Sequence, residues 1–218
     1  MKSMGEDDMD KISLTPYIKW NDQVKLIVTD VDETIADVYT PAKPEMINEL
    51  NSLLEEDKVV FMVTGASLDQ VQRRIIDRLI PEKRYQVLVS HCSGAEVWGY
   101  NKDGSRNEKP FYSKYDEALS KEQKEKWRDV VKQIVNEFKL STHNTMPVKD
   151  FVDKTHNNPL DVMLEDRGPQ ITLEFVNAYD LTDDQLEMLE TEVPETHGHH
   201  DLRIPVMEMA EKLLKEAG

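Results

Sequence analysis

Between Val24 and Ser90 the apolar residues follow two alternating rhythms, short unbroken runs and stripes that recur every three or four positions. The first run is "KLIVT". After the break at "TPAKP", Met46, Ile47, Leu50, Leu53 and Leu54 fall on one face of a helix, and "KVVFMVT" is the second run. A second stripe of Leu68, Val71, Ile75 and Leu79 is opened by Ser67 as N-cap, closes before Pro81 and leads to a third run, "YQVLVSH". Unbroken runs suit strands buried within a sheet and helical stripes suit crossovers, so the pattern predicts βαβαβ around a parallel sheet. Three strands with two crossovers leave one sheet edge unpaired and one apolar face uncovered.

The rhythm changes near Gly94. "AEVWGYNKDGSRNEKPFY" predicts a hairpin about Asp103-Gly104, and the segment after Tyr115 carries Trp127, Val130, Val131, Ile134, Val135 and Phe138 at helical spacing. Ile171, Leu173 and Phe175 alternate with Thr172 and Glu174 as a half-buried strand, before helical patterns at about 182–191 and 205–217. The expected organisation is an α/β class chain: a tail over residues 1–20, a Rossmann-like parallel-sheet core over 21–95 and an α+β unit over 96–218.

Charge narrows the function. Forty-three acidic against 27 basic side chains give a net charge of −16 over 218 residues, which repels nucleic-acid phosphates and anionic membranes. No run of about 18 apolar residues occurs, and the N-terminal stretch has acids where a secretory signal needs apolar residues. The single cysteine, Cys92, excludes an internal disulfide framework and reads as a buried inert thiol. A cytoplasmic protein is expected, binding neither nucleic acid nor membrane.

The chemistry lies where the strands end. In an open α/β sheet, ligands bind outside the carboxyl ends of the strands, and "VTDVDETIA" places Asp30 and Asp32 there. Alternation along an extended chain sends both carboxylates to one side, where they repel unless a cation or proton intervenes. Mg²⁺ relieves that repulsion. One carboxylate can then attack phosphorus while the other protonates the leaving oxygen and later activates water, and Thr34 is placed to orient one of them. Taken alone, the pair also reads as an acidic loop in which Asp32 or Glu33 caps the next turn. The second strand weighs against that reading: it ends in "VTGAS", bringing Thr64, the Gly65 amide and a helix start beside the first site, as phosphate binding requires.

These stretches resemble the haloacid dehalogenase-like phosphatase superfamily. "VTDVDETIA" is similar to its first motif and "FMVTGAS" to its second. "HCSGAEVW" resembles the stretch leading into the large cap of the sugar-phosphatase and phosphomannomutase-like branch, and "EDRGPQITLEF" resembles that branch's cap strand pair. The resemblance covers about residues 22–217. It implies a Mg²⁺-dependent phosphohydrolase of a small phosphorylated metabolite, a sugar phosphate, working through an aspartyl-phosphate. Asp30 would be nucleophile and Mg²⁺ ligand, Asp32 the acid/base that also offers Mg²⁺ its main-chain carbonyl, and Thr64 the phosphate binder. Glu33 departs from the glycine common at its place.

The family also carries a lysine and an acidic "GDxxND"-like loop after the cap. Neither occurs here, and Lys25, Lys43, Lys58 and Lys83 fall at no carboxyl strand end. A C-terminally truncated chain, inactive alone and prone to self-association through its uncovered face, is therefore expected. Two other readings stand beside the hydrolase: a phosphosugar mutase, and a non-catalytic phosphometabolite-binding protein. Arg167 in "EDRGPQ" reads either as a substrate clamp or as a turn arginine paired with Glu165 or Asp166. "HGHH", with His197, His199 and His200, fits no common closed metal site and reads as a solvated loop.

Overall fold

The computed structural model describes residues 23–217 apart from 194, 195 and 197, so the expected tail and His197 lie outside the described residues. The three apolar runs form β1 (Leu26–Thr29), β2 (Val59–Val63) and β3 (Val87–His91), parallel and adjacent in that order. Helix α1 (Pro44–Glu55) begins with a proline in its first turn, where a missing N–H costs nothing, and buries Ile47, Leu50 and Leu54. Its last turn is closed by main-chain bonds from Glu56, Asp57 and Lys58 to Ser52 O, Leu54 O and Leu53 O, and the buried Gln86 amide adds a donor to Leu54 O at 3.0 Å and one to Lys58 O at 2.9 Å.

Helix α2 (Leu68–Arg74) starts at Ser67, whose hydroxyl accepts the Gln70 N–H at 3.1 Å. It is shorter than the apolar stripe suggests, because the backbone leaves helical geometry at Ile75 and continues in 3₁₀ turns. Leu68, Val71, Ile75 and Leu79 are buried all the same, in one cluster with Val60, Met62, Val87 and Val89 from the sheet. Each such side chain withdrawn from water contributes about 1.5–3 kcal/mol.

The opposite sheet face is open. Leu26 and Val28 are 51% and 59% exposed. Among the described residues β1 pairs only with β2, so the strand that reads as buried is a half-covered edge.

On the other side the sheet continues through a hairpin, β4 (Glu96–Trp98) and β5 (Tyr112–Ser113), which joins β3 antiparallel. The tip forms at Asp103-Gly104 as expected. Gly104, at φ +83°, lies so close to Pro81 that an added Cβ would stand 2.7 Å from its carbonyl oxygen. The compositional shift near Gly94 marks the polarity of the hairpin's tip and return arm; the strands it introduces still belong to the first sheet, and Tyr100 packs in the first apolar cluster.

A second, three-stranded sheet follows α3 (Lys114–Ala118) and α4 (Lys121–Glu137): β6 (Ser141–His143), α5 (Val148–Thr155), β7 (Asp161–Asp166) and β8 (Ile171–Phe175), in the order β6-β7-β8. Helix α4 opens on a capping box between Ser120 and Gln123. Its Val130 and Ile134, with Phe138 beyond its end, pack in a separate apolar cluster with Leu189 of α6 (Asp183–Glu192) and Val206 of α7 (Arg203–Ala217). The β8 residues do not alternate in burial; all five are half-buried. No helix among the described residues is long and apolar enough to cross a membrane.

Candidate functional site

Asp30 directly follows β1, exposed, and its carboxylate makes no hydrogen bond or ion pair with any described residue. The chain then tightens. The N–H groups of Ile35 and Ala36 both donate to Val31 O, at 2.9 and 3.1 Å, and Glu33 N–H donates to Ala36 O at 2.9 Å. Glu33 takes φ +57°, the left-handed conformation that glycine enters without steric cost. Thr34 is exposed, and its hydroxyl bonds neither carboxylate among the described residues.

Asp32 is held instead by Arg74, whose Nη2 donates to Asp32 Oδ1 at 2.7 Å. The same guanidinium donates from Nη2 to Asp37 O at 2.9 Å and from Nε to Thr40 O at 2.8 Å. Sequence reading missed this arginine. The available signal was its place three residues after Val71, on the apolar face of α2, where a charged residue needs a buried partner.

The register pairs Thr29 with Met62, so its continuation sets Asp30 beside Val63 and brings Thr64 and Gly65 next to the aspartates. Thr64 is buried. Its Oγ1 accepts the Ala66 N–H at 3.0 Å, which leaves its O–H able to donate, while the exposed Gly65 amide makes no main-chain hydrogen bond among the described residues. The β3 loop laces onto this turn: Ser93 N–H donates to Thr64 O at 2.9 Å and Cys92 N–H to Ala66 O at 3.3 Å. Cys92, Ser93 and Gly94 are all left-handed, at φ 48°, 56° and 95°. Burial pushes the Cys92 thiol up to about 11, so the thiolate is scarce at neutral pH.

The second sheet reaches the same turn. Arg167, beside the β7–β8 turn, donates from Nη1 to Gly65 O at 2.7 Å and from Nε to Glu165 Oε2 at 2.8 Å. Glu165 Oε1 in turn accepts the Ser67 hydroxyl at 2.6 Å. Thus Arg167 is paired with Glu165 and also brought to the candidate phosphate loop. Next to it opens a polar cleft of about 790 Å³, whose walls include Gln72, Arg73, His91, Glu96, Thr145 and Arg167. The His91 ring pairs with Glu96 Oε2 at 3.0 Å, and Trp98 Nε1 donates to the same oxygen at 3.0 Å. The sequence offered Glu165 as a partner of Arg167 but not its bond to Ser67, and the buried His91–Glu96 pair carried no sequence signal beyond its residue types.

Among the described residues no group of three or more His, Cys, Asp or Glu is placed to hold a metal. Mg²⁺ asks for less, since it binds through one or two carboxylates and keeps several waters. The unengaged Asp30 carboxylate and the Asp32 carbonyl, which accepts no main-chain hydrogen bond among the described residues, fit that demand. In the histidine cluster, His200 Nδ1 donates to Leu181 O at 2.6 Å.

No family model and no curated protein matches this sequence. Among solved structures, the chain is similar to an N-terminally truncated, IMP-bound IMP-nucleotidase of Plasmodium falciparum, 13% identical over 88% of this chain and 56% of that one, with a TM-score of 0.42. It is also similar to another structure of the Plasmodium falciparum IMP-nucleotidase, 15% identical over 88% of this chain and 56% of that one, with a TM-score of 0.39. A phosphatase of the haloalkanoate (HAD) enzyme superfamily from Bacteroides thetaiotaomicron is 17% identical over 69% of this chain and 52% of that chain, with a TM-score of 0.34. The chain spans 52–56% of the length of these three structures.

Proposed function

We propose that this chain carries the nucleophile and phosphate loop of a Mg²⁺-dependent, haloacid dehalogenase-like phosphohydrolase, acting on a small phosphorylated metabolite, a sugar phosphate, in the cytoplasm. The observation that supports it is the exposed Asp30 carboxylate, unengaged among the described residues, at the carboxyl end of β1, beside the Thr64 hydroxyl, whose proton remains available to donate, and the Gly65 amide at the end of β2. In this reading residues 21–95 hold the reacting groups, and the second sheet, within 96–218, covers the substrate as a cap.

An Asp30 oxygen attacks phosphorus, and the bond from phosphorus to the substrate oxygen breaks as Asp32 gives that oxygen a proton. Water then attacks the aspartyl-phosphate, losing its proton to Asp32. Inorganic phosphate leaves and the Asp30 carboxylate is restored. Thr64 O–H and Gly65 N–H donate to the phosphoryl oxygens throughout, as donors already in place for the charge that develops. Mg²⁺, held by Asp30 and the Asp32 carbonyl, supplies charge neutralisation when bound.

The test is phosphate release in millimolar Mg²⁺ from a panel of sugar phosphates, with trapping of an acid-stable, hydroxylamine-sensitive phosphoenzyme. Asp30→Asn should abolish both. Turnover that survives the substitution removes Asp30 from the mechanism. A sugar phosphate that is isomerised without phosphate release selects the mutase, and binding without turnover selects the non-catalytic reading.

A further inference from the structure

We propose that Arg74 is the positioning residue for Asp32, a role that rests on reading Asp32 as the acid/base. Arg74 closes α2, where a cation meets the negative end of the helix dipole, and its own carbonyl accepts Ala42 N–H at 3.1 Å. Its side chain is 5% exposed, against 30% for that of Asp32. Two main-chain carbonyls, Asp37 O and Thr40 O, fix the guanidinium plane independently of Asp32. The guanidinium is therefore a preset donor, and the carboxylate takes its orientation from it.

The ion pair is one-armed. Asp32 Oδ1 is occupied by Nη2, while Oδ2 accepts nothing from the described residues and belongs to the more exposed partner. One oxygen is thereby committed to orientation and the other is left for proton transfer. Arg74 Nη1, buried and without a partner, is a spare donor on the same plane, able to steady the carboxylate through a second contact after a small rotation. A purely structural arginine would account for the two carbonyl contacts but not for the bond to the one carboxylate of this loop assigned a proton-transfer role.

The experiment uses the full chain with Arg74→Met and Arg74→Lys. The first readout is the Asp32 side-chain carboxyl carbon resonance, assigned by its loss in Asp32→Asn. Arg74→Met should move it, and Arg74→Lys should return it part of the way. The second readout is leaving-group dependence. Hydrolysis of an alkyl phosphate should fall on the order of 10-fold or more in Arg74→Met, and that of p-nitrophenyl phosphate much less, because a displaced acid costs most where the leaving oxygen needs its proton.

An unmoved Asp32 resonance in both variants overturns the proposal, whether or not the chain turns over substrate. So does a loss that is equal for the two leaving groups while Asp32→Asn itself discriminates them. If Asp32→Asn does not discriminate, the acid role fails, and the resonance alone then decides whether Arg74 orients Asp32. Should Arg74→Met not fold, the milder Arg74→Lys is judged by the same two readouts.

Discussion

Arg167 and Gly65, 102 positions apart in sequence, are joined by a 2.7 Å hydrogen bond from the guanidinium to the main-chain carbonyl. The turn of the second sheet is in this way tied to the candidate phosphate loop of the first, and the Glu165 carboxylate beside that loop is neutralised. Arg167→Ala leaves the Glu165 carboxylate there without its countercharge, bonded only to the Ser67 hydroxyl. Hydrogen bonds to charged groups contribute about 1.5–3 kcal/mol, so affinity for vanadate or inorganic phosphate should fall roughly 10- to 100-fold. Titration calorimetry checks this, and Glu165→Gln in the same chain should restore part of the loss. Unchanged affinity would detach Arg167 from anion binding.

The open face of β1 carries a second expectation. With Leu26 and Val28 more than half exposed beside a strand edge free of partners among the described residues, the chain should self-associate at micromolar concentration. Sedimentation velocity of the wild type against the Leu26→Lys, Val28→Lys pair tests it. The charged pair should sediment as a monomer, and its melting temperature should stay close to the wild-type value because neither side chain is in the buried cluster. A wild type that is monomeric at every concentration counts against the expectation.

Cys92 should be slow to react. Burial holds its thiol near 11, above the ordinary thiol range, so at pH 8 about one molecule in a thousand presents thiolate. Iodoacetamide labelling of the native chain should lag the urea-unfolded chain by roughly 100-fold or more, and its rate should climb about tenfold per pH unit until near pH 11. The sign for stability follows. A raised thiol keeps its full contribution below the unfolded value near 9 and loses it as the pH rises toward 11. Cys92→Ala should flatten that alkaline decline, whereas fast labelling at pH 8 would show the thiol to be accessible.

Glu33 offers a backbone test. A side chain at φ +57° costs about 1–2 kcal/mol, and glycine removes that cost while adding roughly 0.5–1 kcal/mol of chain entropy to the unfolded state. Glu33→Gly should leave urea stability within about 1 kcal/mol of the wild type, slightly on the favourable side. Glu33→Val should be clearly destabilising, because a β-branched residue tolerates this conformation worst. Equal stability for the two variants would mean that the loop relaxes out of the left-handed region.

Legibility in the sequence tracked burial. The stripes through Ile47, Leu50 and Leu54 and through Leu68, Val71, Ile75 and Leu79 announced the helical faces of the first core because each position is committed to one apolar cluster. Strand β6 and helix α5 left no such mark. "STH" is a polar strand of three residues, and α5 buries little besides Phe151 and Thr155. The aspartate pair and the Thr64-Gly65 turn were visible as motifs at strand ends. Arg74, the Ser67–Glu165 contact and the His91–Glu96 pair were not, since each acquires its meaning from a partner that only the tertiary fold supplies. The two expectations for the first strand divide for a related reason: the apolar run reads as buried because it records what could be covered, whereas three strands with two crossovers leave an edge and a face open, and at Leu26 and Val28 nothing among the described residues covers it.

The two apolar clusters of the molecule share no residue, and the side-chain hydrogen bonds that join the two sheets are polar: Ser67 to Glu165, Arg167 to Gly65, Gln70 to Thr145 and Tyr39 to Glu174. Breaking them exchanges protein partners for water, at a net cost of about 0.5–1.5 kcal/mol for the neutral Gln70–Thr145 bond and about 1.5–3 kcal/mol for each bond with a charged side chain, with little apolar surface exposed. Separating the sheets at this seam would therefore change heat capacity little and respond weakly to urea, in contrast to melting either cluster. Solutes that alter water activity, more than temperature, would be the lever on such a separation.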